Sequence, residues 1–169
     1  GSCLPKDLGA LRTLAHDLYL ESPVLNSIEK SNSNQKKIAL KLIESKNKMK
    51  ILVLGISFKP GTDDLRYSPV VDVIQGLSGK GYEIKVIDNH VQMSKIIGKN
   101  KSYIMEKLPH IAKLLVTDIE ESINWAEMII ITNKEKTFLG LNIPENKIII
   151  DLTRIDEYNN HPNYNGLNW

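Results

Sequence analysis

The only cysteine of the chain, Cys3, stands beside a lysine and an aspartate in the heptapeptide GSCLPKD, residues 1–7. A cysteine reacts as its thiolate, and Pro5 is typical of the first turn of a helix. A helix that begins near Pro5 would place Cys3 just ahead of its positive end, where an anion is favoured. Lys6 would add a cation one turn away, and Asp7 could orient a water molecule or accept a proton. These residue types together predict a nucleophile site.

The same motif also has a purely structural interpretation. An unpaired cysteine is usually a small buried hydrophobic residue, and a terminal Gly-Ser pair can be left over from cloning. A single cysteine cannot form an intrachain disulfide, which agrees with a reducing cytoplasm. The residues alone therefore leave both interpretations of Cys3 open.

A second polar motif, FKPGTDDLR at residues 58–66, carries two cations on a stretch punctuated by proline and glycine. It follows the apolar run at 51–54, which is predicted to be a strand, and doubly wound sheets bind ligands at the carboxyl ends of their strands. Lys59 would contact phosphate as a point charge and Arg66 as a bidentate donor, with the two aspartates of the motif holding the arginine in place. A surface network of ion pairs explains the same residues equally well.

Gly55 follows the same predicted strand, as the glycine of a phosphate-binding turn would. The sequence continues as ISFKPG, so the G-x-G-x-x-G fingerprint is absent and a standard NAD site in this part of the chain is not expected. Asp88, after the second predicted strand, could reach a ribose hydroxyl or cap the next turn.

The predicted secondary structure that must position these residues changes in type near residues 47–48. Residues 1–47 are predicted to be helical, with one helix from about Pro5 and a second from about Pro23 to Ser45. Residues 48–169 contain short apolar, β-branched runs that predict buried parallel strands, at 51–54, 84–87, 114–116, 128–131 and 148–150.

Further helices are predicted between these strands. One opens at Ser68-Pro69 and closes at Gly79 or Gly81, one spans 91–108, and one runs from a capping pattern at 117–120 to Trp125. The alternation predicts an α/β fold in which amino-terminal helices precede a Rossmann-like, doubly wound parallel sheet. The tail at 156–169, rich in asparagine and proline, is predicted to be irregular.

Composition excludes several classes of function. The net charge is +2, and no run of lysine and arginine is interleaved with aromatic residues, so no nucleic-acid partner is expected. No apolar run approaches the roughly 20 residues of a membrane span, and no metal site is predicted. We expect a cytoplasmic protein.

Together, GSCLPKD and FKPGTDDLR resemble the paired signatures of the UDP-glucose/GDP-mannose dehydrogenase family. This resemblance implies an enzyme that oxidises the C6 alcohol of a nucleotide sugar to a carboxylate with two molecules of NAD. It implies that Cys3 is the nucleophile and that Asp7 assists the hydrolytic step. By the same resemblance, NAD is contacted by Lys6 and Arg66, and the nucleotide sugar by Phe58 and Lys59.

Weaker similarities favour the branch that oxidises GDP-mannose to GDP-mannuronate. They are SNSNQ at 31–35, GKGYE at 79–83 and the terminal tryptophan. The alternative is a UDP-glucose or other UDP-sugar 6-dehydrogenase, in which the second strand more often ends in Asp-Pro, where this chain has Asp88-Asn89. A different class, a non-catalytic nucleotide-binding or receiver-like module, needs an acidic pair where Gly55 stands.

The resemblance also implies that the chain is the C-terminal part of the enzyme, without the amino-terminal NAD-binding domain and most of the central helical domain. The fragment by itself is therefore predicted to be inactive. The second predicted helix would belong to the central dimerisation helix, so the parent enzyme is predicted to be a homodimer or a larger oligomer.

Overall fold

A computed structural model describes residues 3–91, 102, 104 and 109–167. Two helices precede a set of short strands and helices, and two 3-10 turns lie at Lys136–Phe138 and Asp156–Tyr158. The helices are α1 Cys3–Asp17, α2 Pro23–Glu44, α3 Pro69–Ser78, α4 Pro109–Ala112 and α5 Ile119–Trp125. The strands are β1 Lys50–Leu54, β2 Glu83–Ile87, β3 Met128–Ile131, β4 Ile148–Asp151 and β5 Tyr164–Gly166.

The strands form one parallel sheet in the order β2-β1-β3-β4-β5. Residues 114–116 lie along the outer edge of β2, where Leu115 forms an isolated parallel bridge with Val86. Counting that segment, the order becomes 3-2-1-4-5-6, which is the order of dinucleotide-binding folds. The predicted fold class, a Rossmann-like parallel sheet after amino-terminal helices, is confirmed.

The sheet is covered on both faces, which explains why the central strands β1, β3 and β4 are apolar except for Lys50 at the start of β1 and Asp151 at the end of β4. In β1, Ile51 and Val53 belong to one apolar cluster, whereas Leu52 and Leu54 belong to another. The first cluster receives side chains from α3 and from the last turns of α2, including the fully buried Ile43. The second receives side chains from α5 and from the two 3-10 turns.

Two sequence-based assignments need correction. Residues 114–116 were predicted to form a buried strand, but they are half-buried and make only the Val86 bridge. The tail was predicted to be irregular, yet residues 164–166 pair with β4 as a fifth strand. The predicted helix at 91–108 falls almost entirely outside the described residues.

The two amino-terminal helices contact each other through polar side chains. Arg12 donates through Nε to Asn26 Oδ1 at 3.0 Å and forms an ion pair with Glu29. Ala15 is the buried residue of α1, whereas Leu11 and Leu14 of the same helix are 51% and 55% exposed. The division of the chain near residue 47 remains a prediction. In the part of the chain that is described, no helix is both long enough and apolar enough to cross a membrane.

Candidate active site

Cys3 is the first residue of α1, and its side chain is exposed. The prediction that it lies ahead of a helix starting near Pro5 is wrong, because the helix already includes the cysteine. The interpretation of Cys3 as a buried hydrophobic residue is also wrong. The thiol therefore stands in the first turn of a helix, where the helix dipole favours an anion, and it is open to a ligand.

Lys6 and Asp7 lie in the same turn and pair with each other. Lys6 Nζ is 3.3 Å from Asp7 Oδ1. The hydrogen bond and the charge of Asp7 raise the pKa of Lys6, and Cys3 contributes in the same direction. Tyr67, the residue after Arg66, adds a smaller contribution to the Lys6 pKa.

The second motif forms a loop, residues 58–66, that we call the Lys59 loop. It is closed by the backbone N–H of Phe58, which donates to the Asp64 carbonyl at 2.9 Å. The Ser57 hydroxyl donates to the Lys59 carbonyl at 3.1 Å. Phe58 is half-buried, whereas Lys59 is exposed and its ammonium has no partner among the described residues. Lys59 is therefore available to an anionic ligand.

Arg66 is held by Asp64, one of the two aspartates that the sequence predicts for this role. Its Nε and Nη2 donate to Asp64 Oδ1 and Oδ2, both at 2.9 Å, and its side chain remains 45% exposed. The interpretation of the motif as a network of ion pairs is therefore correct for Arg66 and incorrect for Lys59. A guanidinium oriented in this way has its position fixed before a ligand arrives, which lowers the entropy lost on binding.

Asp88 does not point toward a ligand. Its Oδ2 accepts the N–H groups of Ile56 and Ser57 at 2.9 and 3.0 Å, and its Oδ1 accepts those of His90 and Val91 at 3.0 and 3.2 Å. Only 4% of the residue is exposed. Of the two interpretations left open by the sequence, capping of the adjacent turns is the one observed.

The turn after β1 packs against the residues that follow β3. Gly55 adopts φ +90°, and a Cβ at this position would come within 2.4 Å of Asn133 Nδ2. Asn133 is 4% exposed, and its amide atoms lack hydrogen-bond partners among the described residues. Its side chain therefore leaves no room for a side chain at position 55, which explains the glycine there.

Sequence reasoning missed the polar residues that follow β3 and β4. Asn133 and Glu135 come just after β3, and Glu135 contacts the Lys59 loop. Asp151, the last residue of β4, is fully buried and accepts the N–H groups of Thr153 and Arg154 among others. The signal that could have revealed them is a polar side chain directly after a buried parallel strand. Within the described ranges, no group of three or more His, Cys, Asp or Glu residues could hold a metal ion.

Residues 52–157 match the UDP-glucose/GDP-mannose dehydrogenase family, UDP binding domain. Over 171 aligned residues, the chain is 40% identical to the GDP-mannose 6-dehydrogenase of Pseudomonas aeruginosa, with 100% of this chain and 39% of that protein covered. The chain therefore spans well under half the length of this relative.

Solved structures give the same result. A ternary complex of GDP-mannose dehydrogenase from Pseudomonas aeruginosa matches with a TM-score of 0.87 and 39% identity, over 100% of this chain and 39% of that chain. A UDP-glucose dehydrogenase from the archaeon Pyrobaculum islandicum matches with a TM-score of 0.82 and 26% identity, over 100% of this chain and 38% of that chain. By sequence and by fold, the chain belongs to the UDP-glucose/GDP-mannose dehydrogenase family.

Proposed function

We propose that the chain is the C-terminal part of an NAD-dependent nucleotide-sugar 6-dehydrogenase that oxidises GDP-mannose to GDP-mannuronate. The observation that carries this proposal is the exposed Cys3 in the first turn of α1, with Lys6 and Asp7 beside it and paired with each other. A thiol of structural importance only would be buried.

In the proposed mechanism, Cys3 acts on the sugar after its C6 alcohol has been oxidised to an aldehyde. The thiolate adds to the aldehyde carbon, forming a C–S bond, and the carbonyl oxygen takes up a proton to give a thiohemiacetal. Loss of a hydride and a proton converts this adduct into a thioester. Water then attacks the thioester carbon, Asp7 takes one proton from the water, and the C–S bond breaks to regenerate the thiolate. The carboxylic acid that is released gives its remaining proton to solvent and leaves as the carboxylate.

NAD, when bound, supplies the hydride acceptor for both oxidations. Two exposed cations, Lys6 and Arg66, fit contacts to its phosphate and ribose groups, because both are fixed by carboxylates without being buried. The turn at Gly55 lacks the G-x-G-x-x-G fingerprint of a dinucleotide site. The cofactor would therefore be held mainly by a domain outside this chain, with Lys6 and Arg66 completing its site.

The nucleotide sugar would contact Phe58 and Lys59. GDP-mannose is favoured over UDP-glucose because the 40% identity to a GDP-mannose 6-dehydrogenase extends over the whole chain. A UDP-sugar remains the alternative, supported by the structural similarity to a UDP-glucose dehydrogenase. A cytoplasmic location, assembly of the parent through α2 and inactivity of the chain by itself belong to the same proposal.

The test is NADH formation by the full-length parent enzyme with GDP-mannose and UDP-glucose assayed in parallel. We expect turnover with GDP-mannose, loss of turnover in a Cys3→Ser variant, and no turnover by the 169-residue chain alone. Turnover with UDP-glucose only would assign the enzyme to the alternative branch, the UDP-sugar 6-dehydrogenases. A fully active Cys3→Ser variant would contradict the nucleophile assignment.

Fold integrity of the variant needs its own control. Cys3 is exposed, so serine should leave the folding of the chain unchanged. A thermal melt of Cys3→Ser that matches the wild type would establish that lost turnover reflects chemistry. The thioester step offers a second control. A variant that forms the covalent adduct but cannot hydrolyse it would retain the bound sugar, which would be detectable as added protein mass.

A further inference from the structure

We propose that Glu135 is a positioning residue for substrate binding: its carboxylate fixes the Lys59 loop against the sheet. The proposal rests on the proposed function, because it takes Lys59 as a contact of the nucleotide sugar. It concerns a residue outside both sequence motifs, in the segment that follows β3.

The contact is made at the tip of the loop. The backbone N–H of Gly61 donates to Glu135 Oε1 at 2.6 Å. Gly61 adopts φ +76°, a conformation that few residues other than glycine take up readily. Other hydrogen bonds of the loop lie at its base, where Phe58 donates to Asp64, Ser57 to the Lys59 carbonyl and Ser68 to the Leu65 carbonyl. Glu135 therefore fixes the position of the tip, two residues beyond Lys59.

Glu135 is in turn held by the neighbouring turn after β2. Its side chain is 14% exposed, and His90 Nε2 lies 3.3 Å from the same Oε1 that accepts the Gly61 N–H. Asn89 Nδ2 donates to Thr137 Oγ1 at 2.5 Å, which adds a second link between the two segments. His90 is anchored by Asp88 through its backbone N–H. The turns after β1, β2 and β3 are thus tied together with Glu135 at their centre.

This geometry has a kinetic consequence. Lys59 has no partner among the described residues, so only the loop backbone determines where its ammonium stands. Releasing the tip would spread that ammonium over several positions and weaken the contact with the nucleotide. The reacting carbon is bound at Cys3 and not at Lys59, so the loss would fall on substrate binding, raising KM while leaving kcat nearly unchanged.

The test compares Glu135→Ala with Glu135→Gln in the full-length parent enzyme. Glutamine keeps an oxygen that can accept the Gly61 N–H, whereas alanine keeps none. We expect Glu135→Ala to raise the KM for the nucleotide sugar roughly tenfold with kcat within about twofold, as for loss of a hydrogen bond to a charged acceptor. Glu135→Gln should stay within about threefold of wild-type KM, since the acceptor is retained. Glu120→Ala, which removes an exposed glutamate from α5, is the matched control and should change neither constant.

A second measurement does not depend on activity. Hydrogen exchange of the peptide covering residues 58–66 should be faster in Glu135→Ala than in the wild type, and should remain near wild type in Glu135→Gln. Unchanged hydrogen exchange in Glu135→Ala would show that Glu135 does not fix the Lys59 loop, and would overturn the proposal. An equal rise in KM for both variants, or a fall in kcat at constant KM, would overturn the positioning role.

The wild-type enzyme separates this proposal from the function on which it rests. A wild-type parent that oxidised no nucleotide sugar would defeat the proposed function, and this role with it. Turnover by the wild type, with the same KM in Glu135→Ala, would defeat the role of Glu135 alone.

Discussion

At the scale of single residues, Lys59 and Arg66 show how one motif serves two purposes. Arg66 is balanced by the bidentate carboxylate of Asp64, whereas Lys59 has no counter-charge among the described residues. A paired arginine keeps its orientation when the ligand is absent. An unpaired ammonium gains its full electrostatic interaction only when an anion binds, so we expect substrate affinity to depend more strongly on Lys59.

Removing the Lys59 ammonium should weaken binding of the nucleotide sugar. We expect Lys59→Ala in the parent enzyme to raise KM at least tenfold, roughly the loss of one charge-assisted hydrogen bond. Lys113→Ala, which removes another exposed lysine, is the control and should leave KM unchanged. Steady-state kinetics at low and moderate ionic strength would check this, because the Lys59 contribution should shrink as salt increases. Equal KM values for the two variants would contradict it.

The residue types of the site could be predicted from the sequence, but their contacts could not. Cysteine, lysine and aspartate in one turn, and two cations on a Pro/Gly loop, are visible as patterns. That Arg66 is paired and Lys59 is not depends on the path of the loop, which no spacing rule gives. Glu135 was missed because its partner, Gly61, is distant in sequence and contributes only a backbone N–H.

At the scale of secondary structure, the junctions between strands and turns determine how the sheet holds the site. Gly55 and Asn133 pack together where β1 and β3 end, and Glu127 connects the beginnings of the same two strands. Both contacts cross between segments far apart in sequence. They should therefore contribute to global stability and not merely to local order.

Adding a single methyl group at Gly55 tests the first junction. Gly55→Ala should lower the free energy of unfolding by more than about 1–2 kcal/mol, the cost of a positive φ for an L-residue, because the methyl would also collide with Asn133. The double variant Gly55→Ala/Asn133→Ala should recover the part of the stability loss that is due to the collision. The effects of the two substitutions on the free energy of unfolding should therefore not be additive. Urea denaturation of all three variants would measure this coupling. Strict additivity would show that the two side chains do not meet.

Glu127 tests the second junction through pH. Its Oε2 accepts the N–H groups of Lys50 and Met49 at 3.1 and 3.0 Å, and these bonds lower the pKa of the carboxyl below its ordinary value of 4.5. Since the folded pKa is lowered, the stabilisation is present above the unfolded value and is lost as the pH falls through the folded value. We expect Glu127→Gln to be less stable than the wild type at pH 7, with the difference shrinking below pH 4.5. Denaturant midpoints measured from pH 7 to pH 3 would check the sign, and a difference that grew in acid would contradict it.

The pattern of elements was predictable because the buried strands and capped helices carry local signals. Ser68-Pro69 and Gly79 bound α3, and the Asp118 side chain accepts the Glu121 N–H at the start of α5, as the sequence indicates. β5 was missed because Tyr-Asn-Gly has neither alternation nor a β-branched residue. Residues 114–116 are apolar enough for a strand, yet only Leu115 lies in register with β2.

At the scale of the whole molecule, the apolar surface of the amino-terminal helices is the feature that remains uncovered. Leu4, Leu11 and Leu14 of α1, and Leu18 directly after it, are 71%, 51%, 55% and 58% exposed. Single exposed leucines are ordinary, but several on one helix indicate an interface. In the isolated chain, this surface is open to a second copy.

The isolated chain should therefore self-associate through α1. We expect light scattering to give a mass above the 19.1 kDa monomer, and Leu11→Glu/Leu18→Glu to shift the mass to that of the monomer. Thr13→Glu, which adds a charge to the same helix, should leave association unchanged. A wild-type chain that is monomeric at high concentration would show that this surface does not self-associate.

The last strand also protects the protein from aggregation. β5 covers the outer edge of β4, whose Ile148, Ile149 and Ile150 would otherwise form an open strand edge of the kind that recruits other chains. The Tyr164 hydroxyl donates to Asp151 Oδ2 at 3.0 Å, and Lys46 contacts Asn165 from the end of α2. Proteolytic trimming before residue 164 would expose an isoleucine-rich template for intermolecular β-pairing. The polar tail should therefore help to keep the protein in solution, and a shortened protein would precipitate more readily even with its catalytic residues intact.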